Sequence, residues 1–248
     1  MPPRGREILV YDGSWAGLLT AVFESYRLRV NPQIVAAENY QKGLFDAAVK
    51  IISAADKARR VSARLQALKI LRGVQYCYLS GSPQKEAVIW AYVRQTIAAG
   101  RNIDGNCAAP AVAAARQCWK QVAREAERLK GLLRFQELAD GSFYAAVEPE
   151  HCVLPLLAGH CRARFAAQDW LLHDVRRALA LVYRDRRLNL FSGVNITDWA
   201  DKYSAREADW QMLWKTFFKN IAIAERKNLK LQRQFLPQRY WRYLVEKN

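Results

Sequence analysis

Apolar positions recur at two different periods along this chain, and the changes of period divide it into predicted elements. "EILVYDG" (Glu7–Gly13) is a short apolar run closed by turn residues, which predicts a strand. In "SWAGLLTAVFESYRLRV", Leu18, Leu19, Val22, Phe23 and Tyr26 fall at helical spacing behind Ser14, a predicted N-cap. "AAVKII" (Ala47–Ile52) is β-like. Ser53 then opens a helix predicted through Arg72, with Val61, Leu65, Leu68 and Leu71 along its apolar line. Ser82 and Pro83 predict the start of the next helix and Gly100 its stop. "GRNIDGNCAAP" (Gly100–Pro110) reads as a loop, and an Ala-rich, charged helix follows from about Val112 to Lys130.

The second half is richer in β-formers. Asp140-Gly141 separates "GLLRFQEL" from "GSFYAAVE", a hairpin signal, and "DWLLHDVRRALALVY" predicts a second hairpin with Asp174–Arg177 in its turn. Between them Leu154, Leu157, Ala158, Cys161 and Phe165 keep helical spacing, with Pro155 near the start where its missing N–H is tolerated. The strongest helix comes last. Ser204 and Glu207 read as a capping box, ahead of Trp210, Leu213, Trp214, Phe217, Phe218 and Ile221. A stripe that wide predicts a core-facing helix rather than a base-stacking surface. The expected fold is α+β and helix-rich, its antiparallel sheet built from two hairpins (about 132–148 and 170–183) covered by helices. A single compact unit over 1–248 is expected, with a soft division at the 100–110 loop.

Charge changes the picture. Across 248 residues, 39 Lys and Arg stand against 23 Asp and Glu, a net charge of +16. Such an excess bears on partners rather than on fold, and it points to polyanions, DNA or RNA ahead of anionic lipid. A membrane span needs about 20 consecutive apolar residues, and no run here approaches that. The opening "MPPRGREILVYDG" lacks the apolar stretch of a signal peptide, so a soluble, cytoplasmic protein is expected. The five cysteines, Cys77, Cys107, Cys118, Cys152 and Cys161, form no CxxC pair. Cys152 and Cys161 on one helix would be separated by about 13.5 Å of rise on opposite faces. Buried, reduced thiols are expected, with no metal site and no cofactor.

Motifs for common chemistries are absent from the sequence: no P-loop, no GxGxxG, no GxSxG, no HExxH. Weak candidates for catalysis remain. Asp12 in "YDGS" can serve as a base or a metal ligand, although a turn or cap role fits it better. His151 and His160 offer acid–base capacity, and Arg134 sits between Leu133 and Phe135 in a predicted strand. The clearest signal is basic. From Lys215 to Asn248 nine Lys or Arg residues face two carboxylates, Glu225 and Glu246. Arg226, Lys227, Lys230, Arg233, Arg239 and Arg242 are the candidates for nucleic-acid contact through phosphate, the aromatics between them reading as structural. A second basic run covers Lys57, Arg59, Arg60, Arg64, Lys69 and Arg72.

Several stretches together carry a family resemblance: "YDGSWAGLLTAVFESY", "GLLRFQELADGSFYAAVEPEHCVLPLLAGHCRARF", "DWLLHDVRRALALVY" and "LWKTFFKNIAIAERKNLKLQRQFLPQRYWRYL". The chain resembles, in order and over nearly its whole length, a bacterial family described as a probable DNA metabolism or repair protein and defined by a domain of unknown function. The resemblance implies a role in DNA repair or modification beside a radical-SAM partner protein. Some members are fused to a uracil-DNA-glycosylase-like domain, and this chain resembles the unfused form. It departs from the family at "REAER", where Glu127 stands in place of an expected histidine. The leading expectation is a DNA-binding accessory protein acting with a radical-SAM partner. The alternatives are an enzyme acting directly on damaged bases, and a protein–protein adaptor without DNA affinity.

Overall fold

The structure is a computed structural model that describes residues 7–43, 46–196, 202–221, 223 and 228–247. By its contacts the chain forms two compact units, Met1–Val122 and Ala123–Asn248.

The first unit carries β1 (Glu7–Tyr11), α1 (Trp15–Arg27), β2 (Gln33–Ala36), β3 (Ala47–Lys50), α2 (Ala55–Ala67), α3 (Leu71–Tyr78), α4 (Lys85–Ala99) and the first half of α5 (Pro110–Leu132). β1 is the centre of a three-stranded parallel sheet of order β2-β1-β3, with Leu9 opposite Ile34 on one side and Val49 on the other. Ser14 caps α1 as predicted, its Oγ accepting from the Gly17 N–H at 2.9 Å. One core joins the sheet to the helices: Leu9, Leu18 and Val22 pack in the same cluster as Leu65, Val74, Ile89, Val93 and Val112.

Two helix boundaries differ from expectation. The predicted Ser53–Arg72 helix is two helices, because Lys69 turns into the left-handed region at φ 58° and the Ile70 N–H reaches back to Leu65 O at 3.0 Å. α4 starts at Lys85 rather than Pro83, since Ser82 Oγ accepts from Gln84 N in a preceding turn. Gly100, at φ 64°, ends it as predicted.

The second unit holds the rest of α5, then β4 (Gln136–Glu137), β5 (Phe143–Val147), α6 (Leu154–Arg164), β6 (Trp170–Asp174), β7 (Leu179–Arg184), β8 (Arg187–Ser192), α7 (Glu207–Ile221) and α8 (Leu229–Phe235). Two 3-10 helices, Gln238–Tyr243 and Val245–Lys247, follow. The strands form a five-stranded, mostly antiparallel sheet of order β4-β5-β6-β7-β8. Both predicted hairpins are present as β4–β5 and β6–β7. They join through a parallel pairing, Tyr144 opposite Leu171, because α6 carries the chain back across the sheet before β6 begins. The α+β class expected from the sequence is therefore the class observed. Among the described residues no helix is long and apolar enough to cross a membrane.

α7 departs most from expectation. Its apolar stripe is not core: Trp210, Leu213, Phe217 and Ile221 are 54–61% exposed. Nor do Ser204 and Glu207 exchange capping-box bonds through their side chains. Ser204 Oγ donates to Glu137 Oε2 at 3.2 Å and Glu207 Oε2 accepts from Glu137 N at 2.8 Å, so both fasten the helix start to β4.

Candidate functional site

The four weak catalytic candidates divide between the two units. Asp12 belongs to the first unit, where it follows β1. Its Oδ1 accepts from Ser14 Oγ at 2.6 Å and its Oδ2 from Ser53 Oγ at 2.7 Å. Hydrogen bonds from Ser14, then Ser53, hold its carboxyl below the usual range. It closes a turn and braces the cap, and it borders a cavity of about 590 Å³ with Tyr40 and Lys50. In the second unit His151 is buried, its backbone N–H donating to Glu125, and burial pushes its imidazole below the usual range. Arg134 forms a two-bond ion pair with Glu246, at 2.6 and 3.2 Å, and its guanidinium lies 5.2 Å over the Trp214 ring. His160, half-buried on α6, lines a large cavity together with Arg134.

The predicted phosphate contacts divide as well. Arg226 and Lys227 lie outside the described residues. Lys230 and Arg233 are exposed on α8 and form no ion pair among the described residues. Arg239 and Arg242 are matched by carboxylates. Arg239 reaches Glu150 at 2.8 Å and Glu125 at 3.3 Å, and Arg242 pairs with Glu148. Neither is an unneutralised outward cation, as the sequence led one to expect, even though both side chains keep contact with water.

Glu125 explains why Arg239 is held. This carboxylate is 3% exposed at the side chain, and a buried charge needs several donors. It receives the Glu150 and His151 N–H groups at 2.9 and 2.7 Å, the Tyr240 hydroxyl, and Arg239. Trp241 Nε1 donates to Leu236 O at 3.0 Å. The "RYW" run, Arg239 to Trp241, is thus an anchor for the 3-10 helix on α5. Glu127, two residues on from Glu125, is turned about 200° around the helix. It is 71% exposed and pairs with Lys130 at 2.6 Å.

The arrangement with most chemical capacity is the cavity lined by Arg134 and His160, about 900 Å³, built wholly within the second unit. Its aromatic walls are Phe135, Phe143, Phe165, Trp210 and Trp214. Phe135 is wedged edge-on against Phe165 at 4.9 Å and Trp170 at 5.9 Å, which fixes that wall. Besides Arg134 the cations are Lys130, Arg164 and Arg206; the last two are exposed and form no ion pair among the described residues. Two carboxylates, Glu137 and Glu207, and the amide of Gln211 also face it. Gln211 Nε2 donates to Glu207 Oε1 at 2.9 Å, and the bonds between Glu207, Ser204 and Glu137 pin the first turn of α7 beside β4. That pinning holds Trp210, 58% exposed, in the cavity lining.

Residues 83–246 match the family described as a domain of unknown function (DUF4130). The chain belongs to that family. No curated protein and no solved structure matches it significantly. The large cavity and the Glu125 anchor lie inside the DUF4130 segment, whereas Asp12 and the parallel sheet precede it.

Sequence reasoning did not single out Arg164 and Arg206 as cavity-lining residues, and it read the two tryptophans as core. Arg206 stands alone and Arg164 has only Arg162 beside it, short of a basic run, and the stripe on α7 carried the signature of a buried face. The one sign in the sequence was that Trp210 and Trp214 share a helix with Lys215 and Lys219, charges that a fully enclosed helix would not carry.

Proposed function

We propose that this DUF4130 protein is a nucleic-acid-binding accessory protein whose second unit seats one unpaired nucleotide in the 900 Å³ cavity. The observation that carries the reading is the position of Arg164 and Arg206, free of ion pairs among the described residues, on a cavity walled by Phe165, Trp210 and Trp214. The volume lies in the range of small-ligand sites, about 300–1,000 Å³. Aromatic faces stack on any unpaired base for about 1–3 kcal/mol. Guanidinium forks bind phosphate oxygens in pairs, and exposed ones do so without first breaking an ion pair. The net charge of +16 supplies the long-range attraction. The family resemblance supports a role for this binding in DNA repair or modification in the bacterial cytoplasm, where the protein presents DNA to a radical-SAM partner.

The test is the salt dependence of single-stranded DNA binding. Each phosphate that the protein neutralises contributes about 0.7 to the slope of log K against log salt. Arg164→Ala and Arg206→Ala are each expected to lower the slope by that amount while leaving the melting temperature unchanged. An unchanged slope and affinity in the double variant removes the cavity from the reading.

His160 on the same cavity favours a second reading, direct chemistry on the base, since an imidazole is suited to proton transfer near neutral pH. Turnover of damaged DNA by the purified chain, abolished in His160→Ala, is the result that supports it.

A further inference from the structure

The cavity has two kinds of polar wall, and only one is explained by phosphate. Among its cations stand two carboxylates, Glu137 and Glu207, which repel phosphate and therefore call for a different partner. Both are held in place. Glu207 is 7% exposed, and its two oxygens accept from Glu137 N and Gln211 Nε2. Glu137 Oε2 accepts from Ser204 Oγ, while among the described residues its Oε1 accepts no hydrogen bond. Gln211, with its amide nitrogen committed to Glu207, keeps its carbonyl oxygen as an acceptor. Beside the aromatic walls the cavity thus offers fixed acceptors.

We propose that Glu137, with Gln211, selects bases that carry an exocyclic amine (cytosine, adenine or guanine) over thymine and uracil. The inference rests on the nucleotide reading above and names the base class that the same cavity takes. An exocyclic amine presents two N–H donors, and carboxylates accept from such a group as they do from cytosine N4. Thymine and uracil present carbonyl oxygens at the corresponding position. Against Glu137 such an oxygen leaves both groups desolvated and facing another acceptor, the kind of mismatch that polar sites reject most strongly.

The experiment uses the full chain and eight-nucleotide oligomers of dT, either unbroken or carrying one central dC, dA or dG, with binding followed by tryptophan fluorescence at fixed salt. Each amine-bearing oligomer is expected to bind about tenfold tighter than all-dT. Glu137→Gln keeps the bond to Ser204 but replaces an acceptor with an amide that can donate to a thymine carbonyl, and it is expected to remove most of that preference, chiefly by raising the all-dT affinity. Gln211→Leu is the second variant and is expected to reduce the preference in part. Equal binding of all four oligomers overturns the inference and leaves the nucleotide reading standing, as does a preference untouched in both variants. Binding of none of them overturns the nucleotide reading itself.

Discussion

Tyr240 donates its hydroxyl to Glu125, 115 positions earlier in the chain, and both groups are buried. Burial first, then the Glu125 carboxylate, pushes the tyrosine hydroxyl up to about 12, so it stays a donor throughout the physiological range. Tyr240→Phe keeps the ring and removes one of the donors to a buried charge, at a cost of roughly 1.5–3 kcal/mol. Urea unfolding measures it, as a lowered midpoint at constant slope.

The Arg134–Glu246 pair gives a pH dependence of definite sign. Burial alone would raise the Glu246 carboxyl, but bonds from Arg134, its own backbone and Trp214 outweigh it and hold the group below its ordinary 4.5. A carboxyl lowered on folding adds stability above its unfolded value, and that stability is lost as pH falls through the lowered one. Arg134→Ala is therefore expected to cost roughly 3 kcal/mol near neutrality, because Glu246 stays buried without its partner. The deficit should shrink as pH falls, beginning above 4.5, because the buried carboxyl left without Arg134 is raised and protonates first. Urea midpoints of both proteins across that range provide the check.

Glu127 occupies the position where a histidine is expected, yet it projects from α5 into solvent. Its pair with Lys130 is a surface contact, worth about 0–1 kcal/mol. Glu127→His should change the unfolding free energy by no more than about 0.5 kcal/mol. If a histidine at this position serves a partner or substrate, the variant gains that function at unchanged stability; a thermal melt beside a binding assay separates the two effects.

Basic residues near the C-terminus should separate into two behaviours. Lys230 and Arg233 stand exposed on α8, so replacing both with Ala should lower the salt slope of DNA binding by about 1.4 and leave the melting temperature in place. Arg239→Ala should do the reverse. It withdraws a donor from buried Glu125 and lowers stability by roughly 1–3 kcal/mol, with little change in slope.

What the sequence could show depended on whether local chemistry announced the geometry. Ser14, Gly100 and Asp140-Gly141 did, each through a cap or turn with a known residue preference. β8 carried no such mark. Its turn uses Asp185 and Arg186, both at positive φ (51° and 60°), where a glycine would ordinarily advertise the hairpin. The break at Lys69 was hidden in the same way, since a non-glycine residue takes the left-handed conformation there. α7 failed for another reason: helical periodicity reports that one face is apolar, not what covers it. The cavity was invisible because its walls come from segments spread along the whole second unit, and only the parallel joining of β5 to β6 brings Phe143 and Phe165 to one site.

The DUF4130 match begins at residue 83, yet α4 and the first half of α5 pack within the first unit: Ile89, Val93, Val112 and Ala115 share a cluster with Leu9, Leu18 and Leu65. The border of kinship is therefore not a border of autonomous folding. A gene truncated to the matched segment would encode helices stripped of the sheet that shields them, and the product would be an aggregating polypeptide rather than a minimal working module.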